Sequence, residues 1–84
     1  MILAAVQTAS VAITVSVTGL RTKREELGLS RPELALISSL PLDTLWELEA
    51  GALSPSHEQR VALMRALDAD FEELFTVRRV NWKP

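Results

Sequence analysis

Apolar and polar positions in this chain follow two different periods, one in the middle of the sequence and one near its start. Between residues 30 and 51, apolar residues recur at the spacing of an inward helix face. These inward positions are Leu34, Ala35, Leu40, Leu45 and Leu48. The pattern predicts two short crossing helices, over about residues 31–38 and about residues 42–50, joined by a tight turn.

The ends of these two helices carry local sequence signals. Ser30 precedes Glu33 by three residues, the spacing of a capping box, in which each side chain accepts a hydrogen bond from the other residue's backbone N–H. Pro32 lies in the first turn, where the missing N–H does little harm. Gly51 follows the second helix, where a left-handed residue closes a helix with little strain.

Two further helices flank this pair. One is predicted over about residues 20–27 and ends at Gly28. The other begins after Ser56, which forms a second capping box with Gln59, and runs to about residue 67.

A fifth helix is predicted over residues 71–76, capped by Asp70 with Glu73 three residues later. The last two helices share a set of apolar residues that predicts their inward faces. That set is Leu63, Ala66, Leu67, Phe71, Leu74 and Phe75. The sequence therefore predicts five short helices within residues 20–76.

The start of the chain has a different character, because residues 1–20 contain no charged side chain. Residues 11–18 alternate Val or Ile with Ala, Thr or Ser, which is the period of a half-buried strand. A signal peptide or membrane span is the alternative, but the segment lacks a basic start and contains many hydroxyl side chains. A disordered tail is disfavoured by the β-branched content. We expect a β-strand arm over residues 1–19 and no membrane association.

A lone strand must pair, since its backbone groups cannot satisfy one another. The same strand of a second copy is one partner, which predicts a homodimer formed through residues 4–18. The alternative is an antiparallel pair within one chain, formed with residues 77–82 of a short basic tail (77–84).

Composition narrows the class of protein. The chain has 84 residues, enough for one small domain, and a net charge of −2, which is acidic for a nucleic-acid binder. It contains no cysteine, and its single histidine, His57, has no neighbouring ligand, so we expect no metal site. No catalytic set or phosphate-binding loop is present. We expect a cytoplasmic protein that is not an enzyme and needs no cofactor.

Three segments resemble the Cro and lambda-repressor-like (Xre-type) helix-turn-helix family over residues 20–76. They are LRTKREELGLSRPELA, LWELEAGALSPS and RALDADFEELF. The resemblance implies a mainly α, five-helix lambda-repressor-like DNA-binding domain, here with an added N-terminal β-strand arm. It also implies a dimeric transcriptional regulator, of repressor or antitoxin type, that reads double-stranded DNA with helix 42–50. A basic residue of the family's first helix pairs with a glutamate of the third, and these positions match Arg24 and Glu49.

The family's DNA-contacting positions hold unusual residues here. When the family's base-contacting positions are mapped onto this sequence, they correspond to Leu42, Asp43, Trp46 and Glu47, flanked by Pro41 and Ala50. The phosphate-facing residues are Arg31, Arg21 and Lys23. Direct readout normally uses Arg, Lys, Asn or Gln, and no base-facing position carries one of these.

The alternative function is a protein-interaction module, such as an anti-repressor or a transcription-factor adaptor. In this interpretation the helix-turn-helix has lost DNA readout and binds a basic, apolar protein partner. The partner-binding residues would be Leu36, Ile37, Leu42, Asp43, Trp46 and Glu47. A further alternative is that Ile37 and Trp46 are covered by the N-terminal arm.

Overall fold

The computed structural model describes residues 11–81, which form five helices and two strands. In chain order these are β1 (Val11–Val17), α1 (Leu20–Glu26), α2 (Arg31–Ser38), α3 (Leu42–Glu49), α4 (His57–Leu67), α5 (Phe71–Leu74) and β2 (Phe75–Asn81). The protein is therefore mainly helical, with a small antiparallel two-stranded sheet. Residues 1–10 of the predicted arm and residues 82–84 of the predicted tail lie outside the described residues.

The core consists mainly of leucines drawn from all five helices, and the predicted inward positions are confirmed. Burial of each such side chain stabilises the fold by roughly 1.5–3 kcal/mol. The buried apolar residues are Leu20, Leu34, Leu45, Leu48, Leu63, Leu67, Ala69, Leu74 and Phe75. Ala35, Leu40, Ala66 and Phe71 are partly buried against this cluster.

Both predicted capping boxes are present. The Ser30 hydroxyl accepts a hydrogen bond from Glu33 N (3.2 Å), and Ser30 N donates to Glu33 Oε1 (2.7 Å). Ser56 and Gln59 make the same pair of bonds at the start of α4. Gly51, after α3, has a φ of +76°, which explains why glycine stands there. These signals account for the close match between the predicted and observed starts of α2 and α4.

The Ser30–Glu33 capping box makes the stability of α2 pH-dependent. The hydrogen bond from Ser30 N, with a second from its hydroxyl, lowers the pKa of Glu33 below its ordinary value of 4.5. Because this pKa is lower in the folded chain, the stabilisation is complete above the unfolded pKa and is lost as the pH falls through the folded pKa. We expect the unfolding free energy of the natural chain to fall more steeply below about pH 4.5 than that of Glu33→Gln.

Urea unfolding across acid pH measures this difference. Glu58→Gln is the matched control, because Glu58 lies in the first turn of α4 but forms no capping box. If Glu33→Gln keeps the pH dependence of the natural chain, the capping carboxylate is not responsible for it.

The fifth helix is shorter than predicted. The sequence predicts a helix over residues 71–76 capped by Asp70, but α5 ends at Leu74 and the Asp70 side chain makes no capping hydrogen bond. Phe75 is extended (φ −132°, ψ 153°), only 2% exposed, and paired with Val17 of β1. The prediction was wrong because pairing with a distant strand outweighs the local helical spacing of Phe75.

The strand arm pairs within its own chain. β1 and β2 are antiparallel, with Val17 opposite Phe75 and Val11 opposite Asn81. For residues 11–17 the structure therefore shows the predicted pairing within one chain. Pairing with a second copy stays a prediction. β2 begins at Phe75, inside the predicted helical domain, so arm and tail form one ribbon.

The ribbon is anchored where β1 meets α1. The backbone N–H groups of Thr18 and Gly19 both donate to the Leu74 carbonyl (3.0 Å each). A Cβ atom at Gly19 would collide with the Glu73 carbonyl, so this close approach of two backbones requires glycine. Among the described residues, no helix has the length and apolar character needed to cross a membrane.

Candidate interaction surface on α2 and α3

Helix α3 lies at the surface, with one side in the core and the other facing outward. Leu45 and Leu48 are fully buried and fix its inner side. Ser39, in the left-handed conformation (φ 61°), ends α2, and the chain then turns at Pro41 into α3. The predicted base-facing positions are all exposed. They are Pro41, Leu42, Asp43, Trp46, Glu47 and Ala50.

A three-residue ion cluster holds α3 against α1 and α2. Arg24 Nε donates to Glu49 Oε2 (2.7 Å) and Arg24 Nη2 to Glu49 Oε1 (3.2 Å), so the predicted pair is present and bidentate. Arg31 Nε donates to the same carboxylate at Oε1 (3.0 Å). Arg24 also donates to the Leu29 carbonyl (2.7 Å). The hydrogen bonds to Glu49 raise the pKa of Arg24, despite the opposing effect of burial.

The Arg31 side chain is held by more contacts than the sequence predicts. Its guanidinium carbon lies 3.7 Å from the Trp46 ring centroid, a cation–π contact, while its Nε is bound to Glu49. Within residues 11–81 its two terminal amino groups make no hydrogen bond. Sequence reasoning missed both the Arg31–Glu49 bond and the stacking on Trp46. The spacing of residues within α2 or within α3 carries no signal for either contact.

The other two predicted phosphate contacts are separated by the structure. Arg21 pairs with Glu25 (3.2 Å), an exposed pair, and lines a recess together with Arg31, Trp46 and Glu49. Lys23 pairs instead with Glu73 of α5 (3.3 Å) and lines a different recess. The structure therefore brings Arg21 and Arg31 together and leaves Lys23 out of that group.

The outward side of α2 and α3 combines apolar and acidic side chains. Leu36 is 80% exposed and Trp46 is 51% exposed, so the described part of the arm does not cover Trp46. The remaining exposed apolar residues of this side are Ile37 and Leu42. Asp43 and Glu47 stand one turn apart among these residues, and Asp43 Oδ1 accepts a hydrogen bond from Thr44 N (2.8 Å). Glu47 forms no ion pair with any described residue.

These residues form an exposed surface that mixes apolar and acidic side chains. In residues 11–81, no group of His, Cys, Asp and Glu is arranged to hold a metal ion. No protein-family model matches the chain, and no curated protein matches it in sequence.

Proposed function

We propose that this chain is a lambda-repressor-like helix-turn-helix protein that binds double-stranded DNA as a homodimer and regulates transcription. In this proposal α3 enters the major groove. The proposal rests on the way the fold holds α3 and exposes its outer side. Its inner side is fixed by Leu45 and Leu48, its end is held by Glu49, and its outer side is exposed beside Arg21 and Arg31.

Arg21 and Arg31 supply the phosphate contacts. Arg21 has only an exposed pair with Glu25, and such pairs contribute little, so its guanidinium can transfer to a phosphate. Arg31 keeps Nε on Glu49 and directs its terminal amino groups to the phosphate. Lys23 is left out of this set because it pairs with Glu73. Two copies then neutralise about four phosphates, which is few for a DNA-binding protein.

The base-facing residues are suited to recognise only some of the bases. Carboxylates accept hydrogen bonds from the cytosine N4 amine, and apolar side chains contact the thymine methyl group. Asp43 and Glu47 therefore favour cytosine, and Leu42 favours thymine. Away from such bases the same carboxylates repel the DNA backbone. We infer weak binding to random sequence and a strong preference for a matching site.

A salt titration with a random-sequence duplex tests DNA binding. Fluorescence anisotropy should detect binding at low salt, with the logarithm of the association constant falling against the logarithm of salt with a slope of about −3 to −4. Arg21→Gln should reduce the magnitude of this slope by about two per dimer, because each copy loses one phosphate contact. Arg65→Gln, an exposed arginine of α4, is the matched control and should leave the slope unchanged. Absence of binding at low salt contradicts the proposal.

A second candidate, a protein-interaction module of anti-repressor or adaptor type, is favoured by the exposed apolar residues. Leu36 and Trp46 present apolar area beside Asp43 and Glu47, which suits a basic, apolar protein partner. The same titration separates the two candidates, since a surface made for a basic protein does not bind random duplex even at low salt.

A further inference from the structure

The ribbon of β1 and β2 has an apolar face that the helices cover along only part of its length. Val15, Val17 and Phe75 pack against the core at the base of the ribbon. Ile13 (64% exposed) and Val77 (52% exposed) continue the same face beyond the helices. A two-stranded ribbon is marginal in water unless further strands or a helix cover it. Among the residues that the structure describes, none covers the outer part of this ribbon.

Within residues 11–81 the ribbon has no third strand, and its two outer edges differ in charge. β1 contains no charged residue, whereas positions 78 and 79 of β2 are both arginine. Long uncharged edges pair readily with another strand, and charged residues on an edge prevent it. Contact between two β2 edges would also bring arginines of both copies close together. The β1 edge is therefore the one suited to a second copy.

We propose that β1 pairs antiparallel with β1 of a second copy, with the two-fold axis at Thr14, to give a four-stranded sheet in the order β2–β1–β1–β2. This proposal specifies the interface of the dimer named in the proposed function, and it rests on that dimeric state. The register places Ile13 opposite Val15 of the second copy and Thr14 opposite itself. Such pairs of β-branched side chains are favourable across antiparallel strands.

The proposed sheet also covers the exposed part of the ribbon. A two-fold axis perpendicular to the sheet keeps the apolar faces of both copies on the same side. Because the strands are antiparallel, the outer end of one ribbon lies beside the base of the other, where the helices of the second copy pack. Ile13 then gains apolar cover from the second copy.

Glutamate at Thr14 tests the interface without weakening the ribbon. Within one copy, Glu at this position lies opposite Arg78, which is favourable. Across the proposed axis, two carboxylates would face each other. Sedimentation of Thr14→Glu should show the dimer dissociation constant raised by up to about fivefold. Thr76→Glu is the control with the same charge on β2. It removes the exposed hydroxyl hydrogen bond between Thr18 and Thr76 (2.8 Å) but should keep the dissociation constant of the natural chain. A monomeric natural chain, or equal effects of the two variants, overturns the proposal.

Disulfide formation tests the register. The chain has no cysteine, so Thr14→Cys introduces one thiol per copy. Directly opposed antiparallel residues have Cα atoms about 4.5–5.5 Å apart, which suits a disulfide. Under mild oxidation Thr14→Cys should give a linked dimer in high yield and Thr76→Cys should not, and the reverse result overturns the proposal. Both assays omit DNA, so a chain that dimerises in this way but does not bind duplex loses the proposed function and retains the interface.

Discussion

Replacing Glu49 with alanine is expected to destabilise the fold by about 3–5 kcal/mol, a large part of the total for a domain of this size. The Glu49 carboxylate is almost fully buried and binds Arg24 through two hydrogen bonds and Arg31 through a third. Without it, the buried Arg24 guanidinium keeps only a 4.0 Å contact with the exposed carboxylate of Glu25. Removal of one member of a buried pair costs far more than the pair contributes, because the remaining charge stays desolvated.

Urea unfolding followed by far-ultraviolet circular dichroism measures this loss. Glu25→Ala is the matched control, since Glu25 is exposed, pairs with Arg21 and comes only within 4.0 Å of Arg24. Its loss should cost about 1 kcal/mol or less. The double variant Arg24→Met/Glu49→Leu should recover much of the stability, because apolar residues of similar volume often replace a buried ion pair without loss. A loss below about 1 kcal/mol for Glu49→Ala would mean that the cluster does not hold the three helices together.

The first four helices were predictable to within about one residue because their signals are local. Ser30 and Ser56 each lie three residues before a Glu or Gln, and Gly28 and Gly51 follow the ends of α1 and α3. Such capping and closing signals act within a single turn, so no knowledge of the rest of the chain is needed. The inward leucines follow from helical spacing in the same way.

The boundary between α5 and β2 was not predictable from local spacing. Phe71, Leu74 and Phe75 fit a helix face, yet Phe75 also fits the alternation of the strand that follows. The choice depends on Val17, which pairs with Phe75 from the other end of the chain. A sequence pattern indicates that β1 needs a partner strand but does not say where that partner begins.

In the candidate site, too, the exposed positions were predictable from the sequence, whereas the contacts between helices were not. The resemblance places Leu42, Asp43, Trp46 and Glu47 on the outer side of α3, and these residues are exposed. The bond between Arg31 and Glu49 depends instead on how α2 crosses α3, which spacing within either helix does not specify. The direction in which Lys23 points depends on the position of Glu73, fifty residues further along the chain.

Neutralising the two outward carboxylates of α3 should strengthen binding to random duplex DNA by about thirtyfold per copy. Asp43 and Glu47 are exposed one turn apart on the side of α3 that the proposal places against the major groove. A carboxylate about 4 Å from a phosphate charge costs about 1 kcal/mol even with the screening of bulk water. Asp43→Asn/Glu47→Gln removes two such charges, or about 2 kcal/mol. Anisotropy at fixed low salt gives the ratio of the association constants.

A control variant separates the effect of net charge from the effect of where the two carboxylates lie. Glu58→Gln/Glu72→Gln is the matched control, because it raises the net charge by the same amount within the first turns of α4 and α5. We expect this control to change the affinity by much less than the α3 variant does. Equal gains for both double variants would show that α3 does not face the DNA. Weaker binding by the α3 variant to a protein partner, with no gain on DNA, would favour the interaction module, since Asp43 and Glu47 would then attract a basic partner.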